Sequence, residues 1–438
     1  MAEIANTAHL RPGSGASLHP KTPGSANPIS KPAATTQLPM SRPEIIYVLQ
    51  TPLTERDYRR HGMALMTENG CEVVVIDVSA ITLLGTANLT ADSKTLPHVT
   101  ILRAANNSEF VTHLRSHANA KLIVFLAQSG NVTPNNLGLL RAISRAPTPY
   151  MIWNVGTFPG WEQNTFRNRI GDRAENLFSV LRNKDYRASV ISRLPLWLLN
   201  IRPADIVLSS DVQGQRRSRL QSPKSRVIQA HHPDYDVFMA KKKMVSGIMN
   251  QAVFIDQNKP FHHDYQQSRT KPVEATKYYT DLERFFVYVE QQLGLEVVIA
   301  AHPRTKVDQI RRHIGDRKLI QNQTPELIIS SKLVLAHTST AISMAVMDRK
   351  PVVIISNKEL WRIGWNRCLM REMAKYLNAP IIFVDEELPN DMDSCMEVDP
   401  ERYDSYFSTF IKRDSTPDQP IWEIARGELS DVLKRSLI

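Results

Sequence analysis

The sequence predicts an α/β protein of two consecutive Rossmann-like, doubly wound domains, and three observations carry that expectation. Short runs of branched apolar residues recur along the chain, each suited to a strand buried on both faces. Stretches of helical period separate most of them, so the crossovers should be helical and the sheets mostly parallel. The 438 residues are enough for two ordinary cores.

Taken in order, the chain opens with a tail. Residues 1–42 are rich in Ala, Pro, Ser, Thr and Gly and nearly lack large apolar side chains. Such a segment buries too little surface to offset its ordering entropy, and we expect it to be disordered. The first domain is expected over 43–235. "PEIIYVLQ" (43–50) reads as its first strand, a helical stretch over 55–69 stops at Gly70, and "EVVVIDVS" (72–79) is the second strand. "HVTILRA" (98–104), "AKLIVFLA" (120–127) and "TPYMIWNVG" (148–156) follow, with helices near 107–117 and 134–145 between them. After a long irregular or helical region, "ADIVLSS" (204–210) and "SRVIQA" (225–230) close the series.

Residues 236–250 read as a linker, and 251–438 as the second domain. It starts at "QAVFIDQ" (251–257), followed by a helix over 273–293 in which Tyr278, Leu282, Phe285, Val289 and Leu293 recur at the three-to-four spacing of one buried face. "EVVIAA" (296–301), a short helix, "KLVLA" (332–336), a helix over 340–348, "PVVIIS" (351–356), a helix near 358–377 and "APIIFVD" (379–385) continue the alternation. Helices near 400–412 and 420–436 end the chain, the last a candidate to cross back to the first domain.

Bulk properties narrow the function. The formal net charge of +10 favours an anionic partner. Neither the aromatic–basic motifs of RNA modules nor a helix-turn-helix pattern occurs, so nucleic acid is not expected, and the basic run "QGQRRSRLQSPKSR" (213–226) reads as a solvated loop. No apolar run is long enough to span a bilayer, and the N-terminus carries no apolar signal-peptide core. Cys71, Cys368 and Cys395 lie too far apart for a metal-ligand spacing and are too few for a disulfide framework. The expectation is a soluble cytoplasmic protein. One stretch, "SRLPLWLLNIRP" (192–203), sets six large apolar residues between two arginines; it reads either as a buried helix end or as an anchor on an anionic inner leaflet.

In open α/β sheets, ligands bind beyond the C-terminal strand ends where strand order reverses. Three strands of the second domain end in unusual residues: Asp256-Gln257, His302-Pro303-Arg304, and "HTSTA" (337–341). Pro303 alone would supply a turn, so two cationic side chains around it point to an anion. His337 precedes Ser339 and Thr340, which stand where a helix start belongs, and hydroxyls with free N–H groups at such a place can cradle phosphate. His302 and Arg304 are expected to face the same phosphate from a neighbouring strand. "HHPDYD" (231–236) and "FHHDY" (261–265) invite a metal, but adjacent histidines rarely ligate one ion and no HExxH spacing occurs; no metal or cofactor is expected. These two stretches read instead as loops lining the interdomain cleft, with His262, His263 and Asp264 near a sugar.

Strand–"HP", then strand–"TST"–helix about 35 residues later, resembles the second domain of bacterial GT-B glycosyltransferases of surface-polysaccharide assembly. The likeness is greatest to CMP-sugar-dependent sialyltransferases and Kdo transferases. It implies a GT-B fold, a nucleotide-sugar donor, a glycan or glycolipid acceptor, and phosphate contacts at His302, Pro303, Ser339 and Thr340. The sialyltransferases carry a D/E-D/E-G triplet with the catalytic base, and no such triplet occurs here. The best remaining carboxylate is Asp256, as general base or as nucleophile of a retaining transferase, with His263 and Asp264 as further catalytic candidates. A metal-independent transferase that acts at the inner face of the membrane, or within a polysaccharide assembly complex, is the reading that follows. The alternatives are a non-catalytic nucleotide-sugar-binding module and a sugar-nucleotide epimerase.

Overall fold

Thirteen strands form two wholly parallel sheets in the computed structural model, which describes residues 42–82, 96, 98–127, 132–156, 159, 191, 194–210, 218–261, 271–303 and 305–434. The first sheet has seven strands in the order β3-β2-β1-β4-β5-β6-β7. They are β1 (Glu44–Leu49), β2 (Glu72–Asp77), β3 (Val99–Arg103), β4 (Leu122–Phe125), β5 (Tyr150–Asn154), β6 (Ile206–Ser209) and β7 (Arg226–Gln229). The second has six in the order β10-β9-β8-β11-β12-β13: β8 (Gln251–Ile255), β9 (Glu296–Ala301), β10 (Leu319–Gln321), β11 (Leu333–Ala336), β12 (Val352–Ser356) and β13 (Ile381–Phe383). Each sheet therefore reverses strand order once, between β1 and β4 and between β8 and β11.

The apolar runs explain the layering. Ile45, Tyr47 and Val73 point into one cluster of the first domain, and Ile46, Val48 and Val74 into another on the opposite face. Helices must cover both faces, which is why these strands lack polar alternation. The second domain buries its strands and the helix Ala275–Leu293 in one continuous core.

Four readings need correction. The helix expected over 55–69 is two helices, Glu55–Arg60 and Met63–Glu68, because Gly62 takes φ +70 and lies so close to Trp422 that a Cβ would fall 2.3 Å from its ring. The helix near 358–377 is likewise split, with Asn357 capping Lys358–Arg362 and a new helix, Gly364–Leu377, starting after Ile363. The short strand β10 and the helix Thr324–Ser330 went unread, being too short to show a period. Finally, "HHPDYD" and the start of the linker form a helix, Pro233–Lys242, with His232 accepting from the Asp234 N–H, Pro233 at its first position, acids in its first turn and lysines in its last. Phe238 from this helix joins the second core, and Lys241 and Lys242 pair with Glu326 and Asp348.

The chain passes between the domains twice at one place. His232 N–H donates to Ile411 O (2.7 Å), His231 Nε2 to Gln419 O (2.8 Å), Tyr235 Oη to Asp418 (3.0 Å) and Ile421 N–H to Asp236 (2.9 Å). "HHPDYD" thus ties the outgoing strand to the returning segment. The returning chain ends in the helix Ile421–Lys434, which packs on the first sheet: Trp422 stacks on Trp153 at 5.4 Å and donates to Arg60 O, while Arg226 holds Glu428 and Asp431.

Of "SRLPLWLLNIRP", the described residues make turns, with Leu199 and Ile201 buried and Trp197 73% exposed. Leu220, inside the run read as a solvated loop, is fully buried. No helix among the described residues is long and apolar enough to cross a membrane.

Candidate functional site

The strand-order reversal between β8 and β11 brings the ends of those strands side by side, and a reciprocal pair of hydrogen bonds joins them. Gln257 Nε2 donates to Thr338 O (2.8 Å), and Thr338 N–H donates back to Gln257 Oε1 (2.9 Å). Gln257 thereby acts as one more rung beyond the β8–β11 ladder.

Asp256, 2% exposed, precedes that rung and accepts from the Asn258 N–H at 2.9 Å. This two-residue turn, with Asn258 at φ +51, folds the chain back into the 3-10 turn Lys259–Phe261. Asp256 also raises the pKa of Tyr279, whose burial is the larger cause, so its charge is felt towards the helix Ala275–Leu293. The turn delivers Lys259, only 4% exposed, beneath the strand ends. Its ammonium donates to Asn366 Oδ1 (3.1 Å) and to Thr338 Oγ1 (3.4 Å), and it lies 5.2 Å from the Trp365 ring centre.

At the end of β11, His337 is buried. Nδ1–H donates to Ile355 O (2.6 Å), and Tyr278 Oη donates to Nε2 (2.8 Å), which fixes the tautomer. Burial, and then the nearby Lys259 charge, depress its pKa to about 3, so the ring is neutral. Read from sequence as a donor contact, His337 instead spends both nitrogens on its own domain and braces the turn that follows. In that turn, Ser339 Oγ accepts from Ala341 N–H, and the amides of Ile342 and Ser343 go to Ser339 O and Thr340 O. The helix Ile342–Met347 has only six residues. The Ser339 and Thr340 amides find no acceptor among the described residues, so the N–H groups that could accept an anion here belong to the turn rather than to the helix start.

His302 and Pro303, both partly buried, end β9. Gln321, the last residue of β10, fastens their loop by donating to the carbonyls of His302 (3.0 Å), Pro303 (3.1 Å) and Thr305 (2.9 Å). Strand β9 is not next to β11, as the sequence reading had it, because β8 lies between them. His302 therefore approaches from about two strand spacings away, roughly 9–10 Å. Arg304, His262, His263 and Asp264 lie outside the described residues. Among the described residues no group of three or more His, Cys, Asp or Glu side chains could hold a metal ion.

Sequence reasoning missed Lys259, Asn366, Trp365, Gln321 and Tyr278. Lys259 stood three residues beyond Asp256 and could have been noticed as a lysine following a strand end. The other four become neighbours of the site only through the strand order.

No protein-family model and no curated protein matches the sequence. Among solved structures, the chain is similar to the wall teichoic acid polymerase TagF, with a TM-score of 0.51 at 10% identity over 90% of this chain and 89% of that one. It is also similar to CalG4, the calicheamicin glycosyltransferase (TM-score 0.47, 10% identity, 91% and 100% covered), and to UDP-GlcNAc 2-epimerase from Methanocaldococcus jannaschii (0.44, 9%, 89% and 99%). At such identities the polymerase match is one of architecture: the chain has the two-domain GT-B fold.

Proposed function

We propose that the protein is a glycosyltransferase that moves a sugar from a nucleotide donor, seated at the β8–β11 edge, to a growing surface glycan. The observation that carries this reading is the Gln257–Thr338 pair, which sets Asp256 and the Ser339–Thr340 turn at one strand-order reversal. Donor phosphate is held by the amides and hydroxyls of Ser339 and Thr340, with His302 reaching in from β9 and Arg304 as a further candidate from the sequence. Asp256 is the carboxylate assigned to base or nucleophile, and His263 and Asp264 stand as further candidates. The acceptor comes from the side of the first domain. Fixed N–H and cationic donors stabilise the leaving phosphate, so a divalent ion is not required, and turnover that survives a chelator checks this.

The finer expectations belong to the same proposal. A CMP-activated ulosonic acid such as Kdo as donor rests on the His-Pro and Thr-Ser-Thr likeness. Contact with the inner face of the membrane is supported by Trp197 and Leu198, which are 73% and 49% exposed; co-sedimentation with anionic vesicles, undiminished in Trp197→Ser, would remove that surface. The deciding experiment is incubation with CMP- and UDP-sugars and a measurement of nucleotide release. Binding without release favours a non-catalytic nucleotide-sugar-binding module, a reading that the engagement of Asp256 in its own turn supports. Neither binding nor release sinks both.

A further inference from the structure

The segment that joins the two domains carries an apolar tip with nothing over it. Met244, Ile248 and Met249 are 73%, 63% and 51% exposed, and Val237 and Met239 stand exposed on the helix before them. Of the eleven large apolar side chains exposed among the described residues, these five fall between positions 237 and 249. Scattered singly, such residues are ordinary; gathered in one short stretch, they mark a contact surface. The tip projects, since Gly247 takes φ +87 and a Cβ there would meet nothing within 4 Å. Its base is fixed, with Met249 N–H donating to Ser330 O (2.7 Å) and Asn250 Nδ2 to Gly294 O (2.7 Å). A projecting apolar tip on a firm base is built to enter another phase, whereas a groove is built to receive.

The charges around it say which phase. No acidic residue occurs between Asp236 and Asp256, while Lys241, Lys242 and Lys243 run straight into the tip. Lys241 and Lys242 pair with Glu326 and Asp348, which leaves Lys243 with no ion-pair partner among the described residues. At the base of the tip Lys332 donates to Asn250 Oδ1 (2.8 Å) and likewise meets no carboxylate among the described residues. Apolar side chains flanked by such cations suit the boundary of an anionic bilayer: the apolar groups enter the acyl edge and the ammoniums stay with the headgroup phosphates. A second copy of the chain would instead set these lysines against each other. We infer that residues 237–249 form a docking surface for an anionic lipid leaflet. This surface adds to the contact proposed at Trp197 and is tested apart from it. Because the tip precedes β8, it stands at the N-terminal end of the second sheet, so a leaflet held there leaves the donor edge at the C-terminal ends uncovered.

Co-sedimentation of the full chain with two kinds of vesicle reads the surface: phosphatidylcholine alone, and phosphatidylcholine with phosphatidylglycerol in equal parts. Binding is expected to the anionic vesicles, to weaken with added salt, and to be about tenfold or more tighter than to the neutral ones. Met244→Ser/Ile248→Ser should weaken it about tenfold and Lys243→Gln about fivefold, with Tm unchanged because all three side chains are exposed. Trp197→Ser should give a separate loss. Binding that both tip variants retain overturns the inference, and if Trp197→Ser then abolishes it, membrane contact belongs to that surface alone. Equal binding to the two kinds of vesicle overturns the anionic partner. No binding by the wild type overturns the inference and removes the Trp197 contact too, while nucleotide release from CMP- and UDP-sugars still decides the proposed transferase. A wild-type dimer in analytical sedimentation that the tip variant turns into a monomer assigns the tip to a second copy and overturns the bilayer.

Discussion

The two strand-order reversals occupy equivalent places in two sheets of the same topology, yet they are finished differently. Between β8 and β11 the strand ends are polar and cross-linked by Gln257 and Thr338, with a buried lysine beneath. Beyond β1 the chain runs Gln50-Thr51-Pro52-Leu53, where Leu53 is 2% exposed and the Gln50 side-chain Oε1 is buried without a partner among the described residues. Topology supplies a crevice in both domains. The described residues that finish the two reversals differ, so what each crevice can hold follows its residues and not the fold.

The largest effect expected is on stability in acid, and it bears on both halves of the comparison. Each domain holds a neutral histidine, His61 partly buried and His337 fully so. His61 packs against Trp153 with its pKa lowered to about 4 by burial and the neighbouring Arg60 charge, and His337 is lowered to about 3. Between those values and about 6.5 the unfolded chain binds the proton and the folded chain does not, so stability present above pH 6.5 is lost as pH falls. At pH 5 each histidine should cost about 2 kcal/mol, and calorimetric melting from pH 7 to 5 checks it. A flat Tm would show that the rings do not stay neutral. His337→Gln should remove only the share of the second domain.

Next in size is Asp256→Asn. Asparagine keeps an oxygen for the Asn258 N–H but can neither take a proton nor attack carbon, so the turn survives and only the chemistry is tested. Turnover should fall by about 10² with nucleotide affinity changed only a few-fold. Near wild-type turnover would make Asp256 a turn residue and move the search to Asp264.

Smaller again are the phosphate contacts. His302→Ala and the double change Ser339→Ala/Thr340→Ala should each weaken nucleotide binding about tenfold. Gln50→Leu, at the other reversal, should leave it within about twofold. If calorimetry shows all three alike, the two reversals are not chemically distinct. The smallest effect concerns the tail: deleting residues 1–40 should leave Tm and activity almost unchanged, since that composition contributes no core. A drop of many degrees would count against this.

Much of the architecture could be read because strand and helix signals are local. "EIIYVL" and "EVVIAA" declare buried strands by composition, and Tyr278, Leu282, Phe285 and Val289 declare one helix face by spacing. Strand ends were legible for the same reason, so Asp256, Gln257, His302 and Ser339 were named from sequence. The break at Gly62 was not legible, because its cause is a tryptophan 360 residues further on.

By itself, then, the sequence determined two parallel α/β domains and the short polar segments that end their strands, since both depend on residues a few positions apart. Tertiary structure alone decided which strand ends meet. It set β8 between β9 and β11, turned His337 inward as a brace, and brought Lys259 to Asn366 across 107 positions of chain. Those outcomes depend on strand order and on what each buried polar group can find as a partner, and neither is written in any local window of the chain.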